Sequence, residues 1–178
     1  MPASRGYEAA RAGLDGDVLR ARGRAVGTLP EPCWITYEPD TSRDWVTRRL
    51  RVTAETAARS RSLDLRHDGR GGWRADGERL PAFEALDCDP RLCPPTDTMP
   101  VLRHGLHRAA GERRRPTAWV SVPDLTVRPS RRTYTHLART RGGGGRVRFA
   151  SGTFRSDLDF DADGFVLRCP GPATRIAR

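Results

Sequence analysis

The side chains best suited to chemistry lie in one stretch, Leu86–Arg103, which reads L-D-C-D-P-R-L-C-P-P-T-D-T-M-P-V-L-R. Asp87, Asp89 and Asp97 could form an acid–base pair, a role that needs carboxyl groups whose pKa values are pushed apart. The competing role is structural, because aspartate caps turns by accepting from the backbone two residues on. Cys88, Cys93, His104 and His107 follow a C-x4-C, ten-residue, H-x2-H pattern. That approaches a zinc finger, but the histidine spacing is shorter than the usual ~3–5 residues. We therefore assign no metal. Pro90, Pro94, Pro95 and Pro100 each remove a backbone donor, so we expect no α-helix through the stretch. It reads as an irregular crossover between two β halves.

A second constellation, Asp159-Phe160-Asp161-Ala162-Asp163-Gly164, matches the first half of a calcium loop. Position 12 of such a loop needs a bidentate glutamate and here holds Pro170. The segment is expected instead to be a hairpin, with strands Phe154–Phe160 and Phe165–Cys169 around an Asp161–Gly164 turn. A third group is Trp45 with Arg48. Alternation places Arg48 on the apolar face of Val46, Leu50 and Val52, where an arginine must be paired or must anchor an anion. No nucleophile elbow, P-loop or dinucleotide-binding glycine motif is present. No cofactor is expected.

These residues need a scaffold, and the dominant sequence period is two. Cys33–Tyr37, Val46–Val52, Ser62–Arg66, Arg146–Phe149 and Phe154–Phe160 alternate apolar with polar residues, as half-buried antiparallel strands do. Asp68-Gly69, Asp76-Gly77 and Asp163-Gly164 are hairpin signals between them, and Gly142–Gly145 is a loop. Ala54–Ser60 and Tyr7–Arg11 suit either a short helix or a strand. The fold class is therefore all-β, with curved antiparallel sheets closing into an incomplete barrel or roll and little helix. One domain is expected over residues 6–171, with loose termini at 1–5 and 172–178.

The chain carries a net charge of +10, and all 32 of its basic residues are arginine. The arginines are spread along the chain, with short local runs such as Arg113–Arg115 and Arg131–Arg132. Aromatic residues are 7%, which leaves few stacking platforms for single strands. Nucleic acid is disfavoured as a partner on both counts. No run of apolar residues is long enough to span a membrane, and no secretory leader is visible, so the expected location is cytoplasmic without stable membrane insertion. The four cysteines are expected as buried free thiols.

Several short motifs occur in a telling order: Gly6-Tyr7-Glu8, then Trp45-Val46-Thr47-Arg48, then Asp68-Gly69-Arg70-Gly71-Gly72-Trp73. After them come D-x-D-x-x-x-x-P-x-T-x-T-x-P over Asp87–Pro100, V-P-x-L-x-V over Val122–Val127, Tyr134, and a terminal F-x-x-x-L-x-x-D-x-x-G-x-V-x-x-x-P over Phe154–Pro170. This series resembles the bacterial putative glycolipid-binding family, formerly a domain of unknown function. The chain departs from that pattern at Pro90, Asp97 and Cys169. The resemblance implies an incomplete β-barrel likened to periplasmic lipoprotein carriers, which hold acyl chains between a sheet and its cover. It implies no catalytic residues. The leading expectation is thus a non-enzymatic binder of a lipid-like small molecule, with Trp45, Arg48, Asp87, Asp89, Thr96, Asp97, Thr98, Arg103 and Tyr134 as candidate ligand-binding residues. The alternatives are an enzyme acting through Asp87, Asp89 or Asp97 on a small hydrophobic or glycosyl substrate, and an arginine-rich nucleic-acid-binding domain.

Overall fold

A computed structural model describes residues 6–28, 30–81, 84–170 and 173–175. The described residues form two seven-stranded sheets. The first is a meander of β1 (Gly6–Asp15), β2 (Val18–Gly27), β3 (Cys33–Thr41), β4 (Thr47–Thr56), β5 (Ser60–His67), β6 (Trp73–Ala75) and β7 (Glu78–Arg79). The second contains β8 (Asp87–Pro90), β9 (Glu112–Val120), β10 (Val127–Arg139), β11 (Gly145–Ser151), β12 (Phe154–Phe160), β13 (Val166–Cys169) and β14 (Ala173–Thr174). All pairings are antiparallel except β8 with β9, which is parallel. The sheets curl into a half-barrel, with 59% strand and 8% helix.

Side-chain alternation explains the curl and the core. In β2, Leu19, Ala21, Gly23, Ala25 and Gly27 point inward while Arg20, Arg22, Arg24 and Val26 point to solvent. Small inward residues leave room for large ones on the next strand. A Cβ on Gly23 would overlap the ring of Tyr37, which is fully buried on β3. The outward arginines of the second sheet meet aspartates directly across the ladder, Arg146 with Asp159 and Arg148 with Asp157. Such pairs contribute ~0.2–1 kcal/mol each, so much of the arginine content stabilises sheet surfaces.

The crossover differs from its expected form. Residues Thr98–Arg103 do form an α-helix, α1, which follows a 3-10 turn over Pro94–Asp97. Pro100 lies in its first turn, where the backbone N–H has no intrahelical partner to lose, so the proline is tolerated. The prolines before it shape the turn rather than excluding the helix. Pro90 ends β8, an edge strand, as proline requires in a sheet. The crossover also fills the half-barrel. Met99 packs in a cluster that the first sheet shares with β8 and β9, and Val101 in one built by β10 to β13 of the second sheet, both fully buried.

Other expectations resolve simply. Tyr7–Arg11 and most of Ala54–Ser60 are strand, and the Asp161–Gly164 turn joins β12 to β13. Of the termini, residues 1–5, 172 and 176–178 lie outside the described residues, and Ala173–Thr174 form a strand. Arg48 does not share the face of Leu50 and Val52. A bulge opposite Asp40 and Thr41 shifts the phase of β4, so Thr47 and Leu50 both point inward. Arg48 is turned to solvent, where it pairs with Asp40.

Candidate ligand-binding site

The motif D-G-x-G-x-W builds the floor beneath the crossover. Asp68 accepts from the N–H groups of Arg70 and Gly72, closing a tight turn. His67 Nε2 accepts from Gly71 N–H at 3.0 Å, so its proton sits on Nδ1, 3.0 Å from the Thr47 carbonyl. Burial lowers the pKa of His67, which suits this neutral form. The ring lies 4.6 Å from that of Trp73, whose indole donates to the Ala85 carbonyl. Thr47 N–H then donates to Leu86, and Cys88 N–H donates to the Thr47 hydroxyl. The start of the crossover is thereby tied to β4.

From this anchor Asp87 and Asp89 point to one side of β8 and meet two buried arginines. Asp87 accepts both terminal nitrogens of Arg103, at 2.6 and 2.9 Å. The two side chains are 5% and 11% exposed, which makes the pair an internal one. The same guanidinium donates to the Asp44 and Trp45 carbonyls at 2.8 and 2.6 Å. Both residues hold left-handed backbone, φ 57° and 51°, which a non-glycine residue adopts only when held. Arg103 is the clamp that fixes Trp45 in place.

Asp89 pairs with Arg132 of β10, and Asp97 accepts from the Tyr134 hydroxyl at 2.7 Å. Arg132 lies 5.1 Å over the Phe149 ring, with its Nε unpartnered among the described residues. Thr96 donates to the Cys93 carbonyl at 2.8 Å and lies 3.4 Å from Asp89. Burial raises both carboxyls, that of Asp97 to about 7. Arg132 opposes the rise at both, as do the hydroxyls of Thr96 at Asp89 and of Tyr134 at Asp97. Raised carboxyls meet one condition for acid–base work. Yet both accept from protein groups, and neither lines the clefts described next. Thr98 is fully buried, and its hydroxyl has no partner among the described residues. Burial raises the Cys88 and Cys93 thiols, that of Cys88 to about 12, so neither offers a thiolate. Among the described residues no group of three or more His, Cys, Asp and Glu is placed to hold a metal.

An open cleft of about 280 Å³ lies where the end of β1, the clamped Trp45 and the end of α1 meet the β12–β13 turn. Leu14, Trp45 and Leu102 supply apolar wall, and His107, Arg108 and Asp163 supply polar wall. His107 is 3% exposed, and among the described residues neither ring nitrogen makes a well-aligned hydrogen bond, although the Val101 carbonyl lies near the ring. Burial, then Arg108, lowers its pKa against the Val101 carbonyl, Asp161 and Asp163. A neutral imidazole offers one donor and one acceptor. Trp45 Nε1 is a further buried donor without a partner among the described residues. A second, larger cleft of about 550 Å³ is more open and more polar, lined by Arg148, Arg155, Ser156, Asp157 and Pro170.

Of the nine candidate residues, the fold gathers Trp45, Asp87 and Arg103 into one network and Asp89, Thr96, Asp97 and Tyr134 into another. Only Trp45 lines a cleft itself. Arg48 stands apart on the surface, and Thr98 is enclosed. Arg132 was passed over, although its two-residue spacing from Tyr134 put it on the same inward face. Leu14 and Leu102 carried no distinguishing signal. In the sequence His107 falls in a finger-like pattern, and Asp163 in a calcium-loop pattern and an Asp-Gly turn, none of which points to this cleft.

The chain is also similar to known proteins. Residues 2–175 match the family described as "Putative glycolipid-binding". A crystal structure of a DUF1089 family protein from Pseudomonas aeruginosa superposes with a TM-score of 0.80 at 31% identity, covering 99% of this chain and 94% of that one. No curated protein matches. With nearly its whole length matched and its half-barrel shared with that structure, this chain belongs to the family described as "Putative glycolipid-binding".

Proposed function

We propose that the protein binds a single lipid-like ligand with a hydroxylated head group and does not turn it over. The cleft between β1, Trp45 and α1 carries this reading, because both apolar and polar side chains line it. Its volume falls just below the ~300 Å³ at which small-molecule sites begin, which suits one chain or one ring. Alkyl carbons against Leu14, Trp45 and Leu102 contribute ~0.8 kcal/mol per CH₂ buried. Hydroxyls would exchange hydrogen bonds with His107, the Trp45 indole, Arg108 and Asp163. Family membership supports the glycolipid class of ligand. Four buried free cysteines suit a reducing compartment, in line with a cytoplasmic location.

The test is thermal unfolding with an alkyl maltoside kept below its micelle concentration. A ligand that binds only the folded chain raises the midpoint with concentration. Leu14→Glu, which charges the apolar wall, and Arg108→Glu, which alters the polar wall, are each expected to abolish the rise. A rise that both variants retain places binding elsewhere, and no rise in the wild type removes the proposal.

A further inference from the structure

The outward face of the first sheet carries a second feature that ligand binding does not use. Tyr7 pairs with Val26, and Val26 with Trp34, in direct cross-strand register. The three therefore form one row on the solvent side, 81%, 37% and 63% exposed. Along the same face the next row holds Ala9, Arg24 and Thr36, and beyond it Arg11 lies opposite Arg22. Arg22 pairs with Glu38, whereas Arg11 and Arg24 make no salt bridge among the described residues. Glu55, opposite Trp34, is the one acidic neighbour in the aromatic row.

We infer that this end of the convex face docks on an anionic lipid bilayer. Tyrosine and tryptophan favour the headgroup level of a membrane, where one end of the ring is apolar and the other wet. Arginines one row behind them would meet anionic headgroups, each within the reach of the surface potential. The face is the outside of a sheet rather than a groove, which fits an extended surface better than a peptide. A second copy seated face to face would bring Arg11, Arg22 and Arg24 against their own equivalents. A nucleic-acid strand would need a continuous stacking platform. Here Val26 separates the two aromatics, which lie two strand spacings apart, ~10 Å. The inference is independent of the cleft, since neither Leu14 nor Trp45 belongs to this row.

The experiment is vesicle flotation of the full chain at low salt. The vesicles are phosphatidylcholine alone and phosphatidylcholine mixed with phosphatidylserine. Binding is expected to the mixed vesicles, to fall at high salt, and to weaken about fivefold in Arg24→Gln. Trp34→Ser, a surface change with little bearing on folding, is expected to weaken it further. Arg128→Gln, on the second sheet, is expected to leave it unchanged. Equal loss in Arg128→Gln, or no loss in Trp34→Ser, overturns the inference, as does no vesicle binding. Tighter binding to a single-stranded oligonucleotide that depends on Trp34 would assign the face to nucleic acid instead. Concentration-dependent dimers lost in Trp34→Ser would assign it to a second copy.

Discussion

Arg103 shows how one buried side chain can serve packing and site geometry together. It neutralises Asp87 and caps two carbonyls that belong to left-handed residues. Removing one partner of a buried pair leaves the other charged without compensation, at a cost of ~3–5 kcal/mol. Arg103→Met is expected to destabilise by that amount in denaturant melts. Adding Asp87→Leu should restore most of the loss, because a well-packed apolar pair avoids desolvating charge. Arg48→Ala breaks only an exposed pair and should shift stability by less than ~1 kcal/mol. Asp97 gives a prediction in pH. Its carboxyl rises from an ordinary ~3.9 in the unfolded chain to about 7 in the fold. The fold therefore holds this proton more tightly, and the group's contribution is full below the unfolded value and lost as pH rises through about 7. Asp97→Asn stays neutral and still accepts from Tyr134. It should flatten the decline and gain on the order of 1–3 kcal/mol near pH 8. Wild-type and variant stabilities that run parallel between acid and neutral pH would contradict the assignment.

At the scale of elements, the short turns that carry the cleft are held by close backbone approaches. Gly145 opens β11, and a Cβ there would overlap the backbone of His107. Gly145→Ala must push the His107 turn away or distort β11, so a loss of ~1–3 kcal/mol is expected. The same variant should weaken alkyl maltoside binding through displacement of His107, measured by the same midpoint rise. The strands that frame the site were legible because alternation survives in a single sequence, as in β3 and β12. The site itself was only half legible. Asp87, Asp89 and Asp97 stood out by type, and the structure buries Asp87 and half-buries the other two. Their partners Arg103 and Arg132 lie 16 and 43 residues away, and no local period reports such a distance. Arg48 shows the opposite failure. Its predicted face followed strict alternation, and one bulge reversed it. Helix α1 escaped because proline was read as a breaker wherever it stood, whereas in a first helical turn it breaks nothing.

The two meanders share a centre rather than a boundary, and this governs how the whole molecule should unfold. The crossover ties to β4 at Thr47, pairs with β9 through β8, and pairs with β10 through Asp89 and Asp97. It sends Met99 into one core and Val101 into the other, a single residue apart. Two sheets that bury their concave faces on the same short segment cannot lose one core without exposing the other. Met99→Ala deletes a fully buried side chain of the first core and should cost ~2–5 kcal/mol. The decisive readout is where that loss is seen. Trp73 reports on the first sheet, packed in its core, and Trp119 reports on β9 in the second. With the other tryptophans replaced by phenylalanine, each can be followed by fluorescence in denaturant. Coincident midpoints, moved together by Met99→Ala, are expected if the crossover couples the halves into one transition. A midpoint that shifts for Trp73 and stays fixed for Trp119 would mean that β9 unfolds apart from the first sheet despite the cluster they share. The cleft between the two sheets would then be a junction of separable units rather than a site preformed by one fold.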